Sequence, residues 1–349
     1  MIRRNSKRVK VGNIYIGGDS PITVQSMLNK PASDIEGSVK QAVELEKAGC
    51  EIIRAAVPDM AAVKLIEKLK ENLSVPVVAD IHFDYRLALA SLDAGVDKIR
   101  INPGNIGSME RVKAVADACK SKNVPIRIGV NSGSLEKELL TKYGSPCAEA
   151  LAESALNHVS LLEHCDFDDI VISIKSSSVP IMIDSYRLVA EKCNYPLHLG
   201  VTEAGTHDMA LIKSSVGIGS LLLEGIGDTI RVSMTDDPVN EVSAANGILK
   251  ACGLKKDGVD IVACPTCGRT KIDLIGLAKE VESRLSGCKK NIKVAVMGCA
   301  VNGPGEAREA DIGIAGGDGC ALIFKKGEIV CKVPENEAVD ILISEIDKM

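Results

Sequence analysis

The sequence predicts a closed (β/α)8 barrel followed by a smaller α/β domain. Three observations carry that expectation. Short β-branched runs alternate with helix-period segments over the first two thirds of the chain. Eight such units before residue 254 suit a closed barrel better than an open sheet. The pattern then resets at Lys-Lys-Asp-Gly (255–258), which divides the chain into 1–254 and 255–349.

The barrel strands are expected at Thr23–Met27, Ile52–Ala56, Val77–Asp80, Lys98–Ile101, Ile126–Val130, Ile170–Ile174, Leu197–Val201 and Ile230–Ser233, each followed by a helix. Val9–Ser20, with Gly12, Gly17 and Gly18, reads as a small hairpin capping the barrel bottom. In the second domain, strands are expected at Asp260–Ala263, Lys293–Met297, Ile312–Ala315, Ala321–Phe324 and Ile329–Lys332, with helices over Asp273–Leu285 and Asn336–Asp347. Tryptophan is absent and aromatics make up 2% of the chain, so the core is aliphatic, as in parallel α/β folds. The net charge of -5 is modest and spread out, which argues against a nucleic-acid partner. No apolar run spans a bilayer and the basic start lacks a signal-peptide core, so a soluble, cytoplasmic protein without a membrane partner is expected.

Four cations interrupt the apolar strand runs: Arg54, Arg100, Arg127 and Lys175. A buried charge without a partner is costly. In a barrel the carboxyl ends of the strands line the active-site mouth, so these four would converge on one highly charged anion, and a diphosphate fits. Asn131 and Ser233 stand ready to donate to the same oxygens. For any single cation, an ion pair with a carboxylate such as Asp80, Glu203 or Glu224 explains the burial equally well, but that explanation does not extend easily to all four. Asp80, His82 and Glu203 are groups suited to proton transfer. His158, His164 and His207 read as ordinary helix or surface residues.

Most of the twelve cysteines, such as Cys50, Cys119, Cys193 and Cys252, read as small apolar residues. Cys264 and Cys267 differ: two thiols two residues apart on a tight turn after a strand reach one metal centre. Alone, that knuckle favours structural zinc, but a zinc ribbon needs a second CxxC, and none follows. Instead Cys299 lies on a glycine-rich loop with Glu306 seven residues on. Three thiolates plus an oxygen donor suit a cubane cluster with one iron open to substrate. As a helix-start acid stabilised by the macrodipole, Glu306 needs no metal, and on residues alone that is the stronger reading. Cys320 and Cys331 remain alternative fourth ligands.

The motifs Val-Gln-Ser-Met (24–27), Arg-Ile-Asn-Pro-Gly (100–104), Gly-Val-Asn-Ser-Gly-Ser-Leu (129–135), Gly-Val-Thr-Glu-Ala-Gly (200–205), Gly-Ile-Gly-Asp-Thr-Ile-Arg-Val-Ser (225–233), Cys-Pro-Thr-Cys-Gly-Arg (264–269) and Gly-Cys-Ala-Val-Asn-Gly-Pro-Gly-Glu (298–306) span the whole chain. In these it resembles the bacterial 4-hydroxy-3-methylbut-2-enyl diphosphate synthases, iron-sulfur enzymes of the methylerythritol phosphate pathway. The resemblance implies a TIM barrel followed by an iron-sulfur domain of the sulfite/nitrite-reductase type. It implies a 4Fe-4S cluster on Cys264, Cys267, Cys299 and Glu306, and a diphosphate site from Arg54, Arg100, Arg127, Asn131, Lys175 and Ser233. It further implies reductive ring opening of methylerythritol cyclodiphosphate, with Glu306 yielding its place on iron to a substrate oxygen, Glu203 transferring a proton and Asn302 beside the cluster. A homodimer in which the cluster domain of one subunit closes over the barrel of another, and electrons from flavodoxin or ferredoxin, are implied in the same way. The barrel is also similar to that of the pteroate synthases, which lack the cluster. Two other readings compete. A non-redox barrel transferase or lyase with a zinc tail predicts zinc and no colour, and an electron-transfer or cluster-carrier protein leaves the strand cations unexplained.

Overall fold

The structure, a computed structural model, describes residues 2–256, 258–299 and 308–349. It divides into two compact units, Met1–Leu254 and Lys255–Met349.

In the first unit, β1 (Val9–Val11) and β2 (Ile14–Ile16) pair antiparallel as the expected hairpin. Val11 and Ile16 pack on Ile52 and Val78, early in their strands, which places the hairpin under the barrel floor. Gly12 makes the hairpin turn at φ +56°, and a Cβ there would lie 2.8 Å from Asp97 Oδ1, so both the backbone and the close approach require glycine. Eight parallel strands follow: β3 (Thr23–Met27), β4 (Ile52–Ala56), β5 (Val77–Asp80), β6 (Lys98–Ile101), β7 (Ile126–Asn131), β8 (Ile170–Lys175), β9 (His198–Leu199) and β10 (Thr229–Ile230). They pair in the order β8-β7-β6-β5-β4-β3-β10-β9, and a parallel bridge from Ile172 to Leu197 brings the two edges together. The first four expected strands have the observed bounds. β9 and β10 are shorter than expected, and Ser233 lies beyond its strand. Past Leu199 the ladder is carried by the Arg231 N–H to Leu199 O (2.9 Å), where a Cβ on Gly200 would come within 2.8 Å of Arg231 O.

The helices are α1 (Ile35–Lys47), α2 (Val63–Asn72), α3 (Tyr85–Asp93), α4 (Pro103–Ile106), α5 (Met109–Lys122), α6 (Lys137–Tyr143), α7 (Ala148–Glu163), α8 (Val179–Lys192), α9 (His207–Leu223) and α10 (Pro238–Ala251). Asp34, Asp84 and Asp237 cap α1, α3 and α10 by accepting from Gly37, Arg86 and Val239 N–H groups left free in the first turn. Along α2, Val63, Leu65, Ile66 and Leu69 face inward.

Strand alternation then separates two environments. One set of strand residues (Val24, Ile53, Ile99, Ile128, Ile172, Leu199) packs with the helices in the large apolar core. The alternating set, which faces the barrel interior, includes Gln25, Arg54, Asp80, Lys98, Arg100, Arg127, Ser173, Lys175, His198 and Thr229, nearly all buried. Bulky aliphatic residues usually fill such a barrel; here the filling is polar and cationic.

The second unit has a five-stranded sheet, β11 (Val259–Ala263), β12 (Ile292–Met297), β13 (Ile312–Gly317), β14 (Cys320–Lys325) and β15 (Glu328–Val333), parallel over the first three strands and antiparallel after. Helices α11 (Leu274–Arg284) and α12 (Ala338–Asp347) share one core with Val294, Ile314 and Ile323. Ala295, Met297, Ala315 and Phe324 cluster separately. A Cβ on Gly313 would lie 2.4 Å from Phe324, so glycine there gives the ring its seat.

Candidate active site

Asp80, the last residue of β5, is the hub of the barrel mouth. Its carboxylate takes Arg54 Nη2 at 2.6 Å and Arg100 Nη1 at 3.1 Å, with His82 Nε2 at 3.4 Å. Burial would raise the Asp80 pKa, but Arg54, the His82 hydrogen bond and Arg100 hold it well below the usual carboxylate range. The ion-pair explanation is therefore correct for Arg54 and Arg100, with one carboxylate shared by two guanidinium groups. Glu224 instead pairs with the exposed Arg187, and Glu203 is exposed.

Among the described residues Arg127 has no such partner. It is 1% exposed, deep in β7, and among the described residues its Nε and Nη2 meet no hydrogen-bond acceptor. Burial, Arg54 and Arg100 all act against its charge. A guanidinium keeps its proton in proteins, so this cost stands until an anion arrives. Lys175, the last residue of β8, is pushed well below the lysine range by burial, Arg231, Arg54, Arg127 and Arg100. That shared field places all four expected cations in one neighbourhood. Asn131 is paired in register with Lys175.

One glycine makes room for this charge: a Cβ on Gly129 would stand 2.3 Å from Arg100 Nε. Three interior residues escape the sequence argument: Lys98, His198 and Arg231. Arg231 follows β10, leans on Glu241 of α10 at 3.4 Å, and joins the field around Lys175. The signal for it was the alternation Thr229, Arg231, Ser233, with apolar residues between.

Glu203 adopts φ +52°, a left-handed conformation that costs a non-glycine residue energy. It sits, exposed, in the loop leading from β9 to α9. His82 is exposed on the loop after β5. His158, expected to be ordinary, is instead buried on α7, with Nε2 2.7 Å from Glu136 Oε1, which also accepts from Ser154 Oγ at 3.0 Å. Burial works against the Glu136 carboxylate, but hydrogen bonds from His158, its own N–H and Ser154 outweigh it and bring the pKa down to about 2. A Cβ on Gly104 would lie 2.9 Å from His158 Nε2, so the loops carrying Arg100 and Asn131 onward meet at this pair.

In the second unit, Cys264 follows β11 directly, and its N–H extends the ladder to Val296 O (3.2 Å). The Gly298 N–H donates to Cys264 Sγ (3.1 Å), and the Lys271 N–H to Gly298 O (2.9 Å). Cys267 is exposed on the intervening turn, closed by Thr270 N–H to Cys267 O at 3.0 Å, and the Arg269 backbone and side chain lower its thiol pKa. Cys299 is buried just past β12. The two cysteine-bearing loops are thus stitched together at the carboxyl ends of neighbouring strands. Among the described residues no three metal-binding side chains already form a closed set. Glu306 and Asn302 lie outside the described residues. Cys320 and Cys331 begin β14 and lie within β15.

The family of GcpE TIM-barrel domains matches residues 6–246, and that of GcpE protein C-terminal domains matches 260–348. The chain is 63% identical over 347 residues to the 4-hydroxy-3-methylbut-2-en-1-yl diphosphate synthase (flavodoxin) of Clostridium perfringens, covering 99% of each chain. It is 63% identical to that of Clostridium acetobutylicum, covering 100% of each, and 55% identical to that of Geobacter sulfurreducens, covering 100% of this chain and 99% of the relative. Among solved structures, the dihydropteroate synthase of Stenotrophomonas maltophilia superposes with a TM-score of 0.53 at 14% identity, over 71% of this chain and 98% of that one. The 3-dehydroquinate dehydratase of Geobacillus kaustophilus gives 0.53 at 16% identity, over 72% and 99%. At those identities the likeness bears on the barrel fold alone. Full-length relatedness at this level, with both domain families matched in order, means that the chain belongs to the GcpE family, the 4-hydroxy-3-methylbut-2-en-1-yl diphosphate synthases.

Proposed function

We propose that the cationic barrel interior binds the two phosphates of 2-C-methyl-D-erythritol 2,4-cyclodiphosphate. The reaction opens the ring reductively and removes water, giving (E)-4-hydroxy-3-methylbut-2-enyl diphosphate. Two electrons and two protons enter and one water leaves. The observation that carries the reading is Arg127, buried and without an acceptor among the described residues. A diphosphate supplies the missing charge and acceptors together. Arg54, Arg100, Lys175 and Arg231 add to the field, with Asn131 and Ser233 as neutral donors. Holding the ligand deep among fixed charges orients the ring and excludes water. Glu203, and His82 held by Asp80, would deliver protons.

The donor set fits an iron-sulfur cluster. Three thiols, Cys264, Cys267 and Cys299, lie on two stitched loops, and the N–H donated to Cys264 Sγ is the type of contact that tunes cluster potential. Glu306 would complete the set. When bound, a 4Fe-4S cluster supplies the electrons one at a time and an iron open to oxygen ligands. The second unit is then an iron-sulfur domain of the sulfite/nitrite-reductase type. Flavodoxin, named for the relatives, or ferredoxin would donate electrons to a cytoplasmic homodimer. Among the described residues no helix is long and apolar enough to cross a membrane.

The test is metal and sulfide analysis of protein purified without oxygen, then turnover of the cyclodiphosphate with reductant. About four irons and four sulfides per chain are expected; stoichiometric zinc without sulfide would refute the reading. Arg127→Ala should weaken substrate binding by at least about tenfold with the visible spectrum unchanged. Equal affinity in both proteins would remove Arg127 from the site.

A further inference from the structure

Below the cradle the barrel interior stays polar. Lys98 opens β6, is fully buried, and among the described residues its Nζ meets no hydrogen-bond partner. Among the described residues Gln25 of β3 leaves both amide atoms unpaired, and His198 of β9 leaves Nε2 unpaired. The charged and titratable groups whose fields reach Lys98 are Arg54 from β4 and Arg127 from β7, with Asp97 beside it in the chain, and Lys98 in turn acts on His198 of β9. Asp97 is already engaged, accepting from Lys70 Nζ at 2.5 Å and Val77 N–H at 2.8 Å. Burial, Arg127 and Arg54 accordingly hold the Lys98 pKa well below the lysine range, with Asp97 as the opposing influence. An ammonium here would be desolvated, beside like charges and short of acceptors. A polyanion resting on Arg54 and Arg127 would offset that repulsion and favour the ammonium.

We propose that Lys98 is a positioning residue of the anion site: it stands as a neutral amine in the empty barrel and takes a proton from solvent as a diphosphate settles on Arg54 and Arg127. One N–H bond forms and no other bond changes. The ammonium then adds a second tier of positive charge behind the guanidinium groups, so charge is present when the ligand is and absent when it would only strain the fold. This rests on the diphosphate reading of the cradle given above.

The experiment titrates the full chain with inorganic pyrophosphate at neutral pH by calorimetry, in two buffers of different ionisation enthalpy, for wild type, Lys98→Met and Lys98→Arg. Wild type should take up about one proton more per pyrophosphate than either variant, and its affinity should fall about one log unit per pH unit more steeply as pH rises. Lys98→Met keeps the side-chain length without a charge and so guards against a variant that fails to fold, while Lys98→Arg carries a charge that cannot be gained on binding. Pyrophosphate binding with equal proton uptake in all three proteins overturns the proposal. Failure of wild type to bind pyrophosphate overturns the cradle reading first and this proposal with it.

Discussion

The absent Cβ at Gly129 is what lets the Arg100 guanidinium lie across the inner face of β7. With an added carbon 2.3 Å from Arg100 Nε, something must shift, and the guanidinium is the part with room to swing. Gly129→Ala should therefore disturb binding more than folding. We expect pyrophosphate affinity to fall about tenfold, the value of one charge-assisted contact, with far-UV circular dichroism unchanged. An unchanged affinity would show that Arg100 does not need its observed pose. At this scale the sequence was partly legible. Arg54, Arg100, Arg127 and Lys175 stood out because a charge in an apolar run is conspicuous. Lys98 and His198 did not, because each opens its strand, where a polar residue ordinarily faces solvent. Only barrel closure turns those positions inward.

Elements were easier to read than side chains. Outward strand residues are mostly Val, Ile or Leu, so β3 to β8 announced themselves, whereas β9 and β10 shorten where Gly200 and Arg231 approach. The contact between α7 and the loop after β7 was not legible, because His158 falls in an ordinary helical pattern and its partner Glu136 lies 22 residues away. The pair has a pH signature. Glu136 has its folded-state pKa depressed to about 2 from 4.5, so its contribution is complete above the unfolded value and is lost as pH falls toward 2. Glu136→Gln should lower stability at neutral pH by about 1 kcal/mol, a figure discounted for partial exposure. In urea titrations the gap between the proteins should close on acidification. A gap that persists below both pKa values would mean the carboxylate charge contributes nothing.

Across the whole molecule, the residues proposed for anion binding and those proposed for cluster ligation belong to separate compact units with separate cores. Cys264→Ser should consequently remove iron and the visible spectrum while leaving pyrophosphate affinity within about twofold, since the core that positions the cations shares no residue with the core beneath the cysteines. A large loss of affinity would show that the cluster loops help to hold the anion. The boundary at Lys255 was visible as a break in periodicity; Glu306 as the proposed fourth cluster ligand rests only on resemblance, because a lone Glu near a glycine-rich loop has many ordinary explanations.

The polar filling of the barrel also bears on how the protein responds to temperature. Unfolding an aliphatic barrel exposes apolar surface, which raises heat capacity by about 0.45 cal/K/mol/Å², whereas polar surface lowers it by about 0.26. Releasing Gln25, Lys98, Arg127, Ser173, His198 and Thr229 to water thus subtracts from the heat capacity change where such barrels ordinarily add to it. The stability curve of the first unit flattens accordingly, holding a modest stability over a wide span of temperature instead of a higher one near a single optimum.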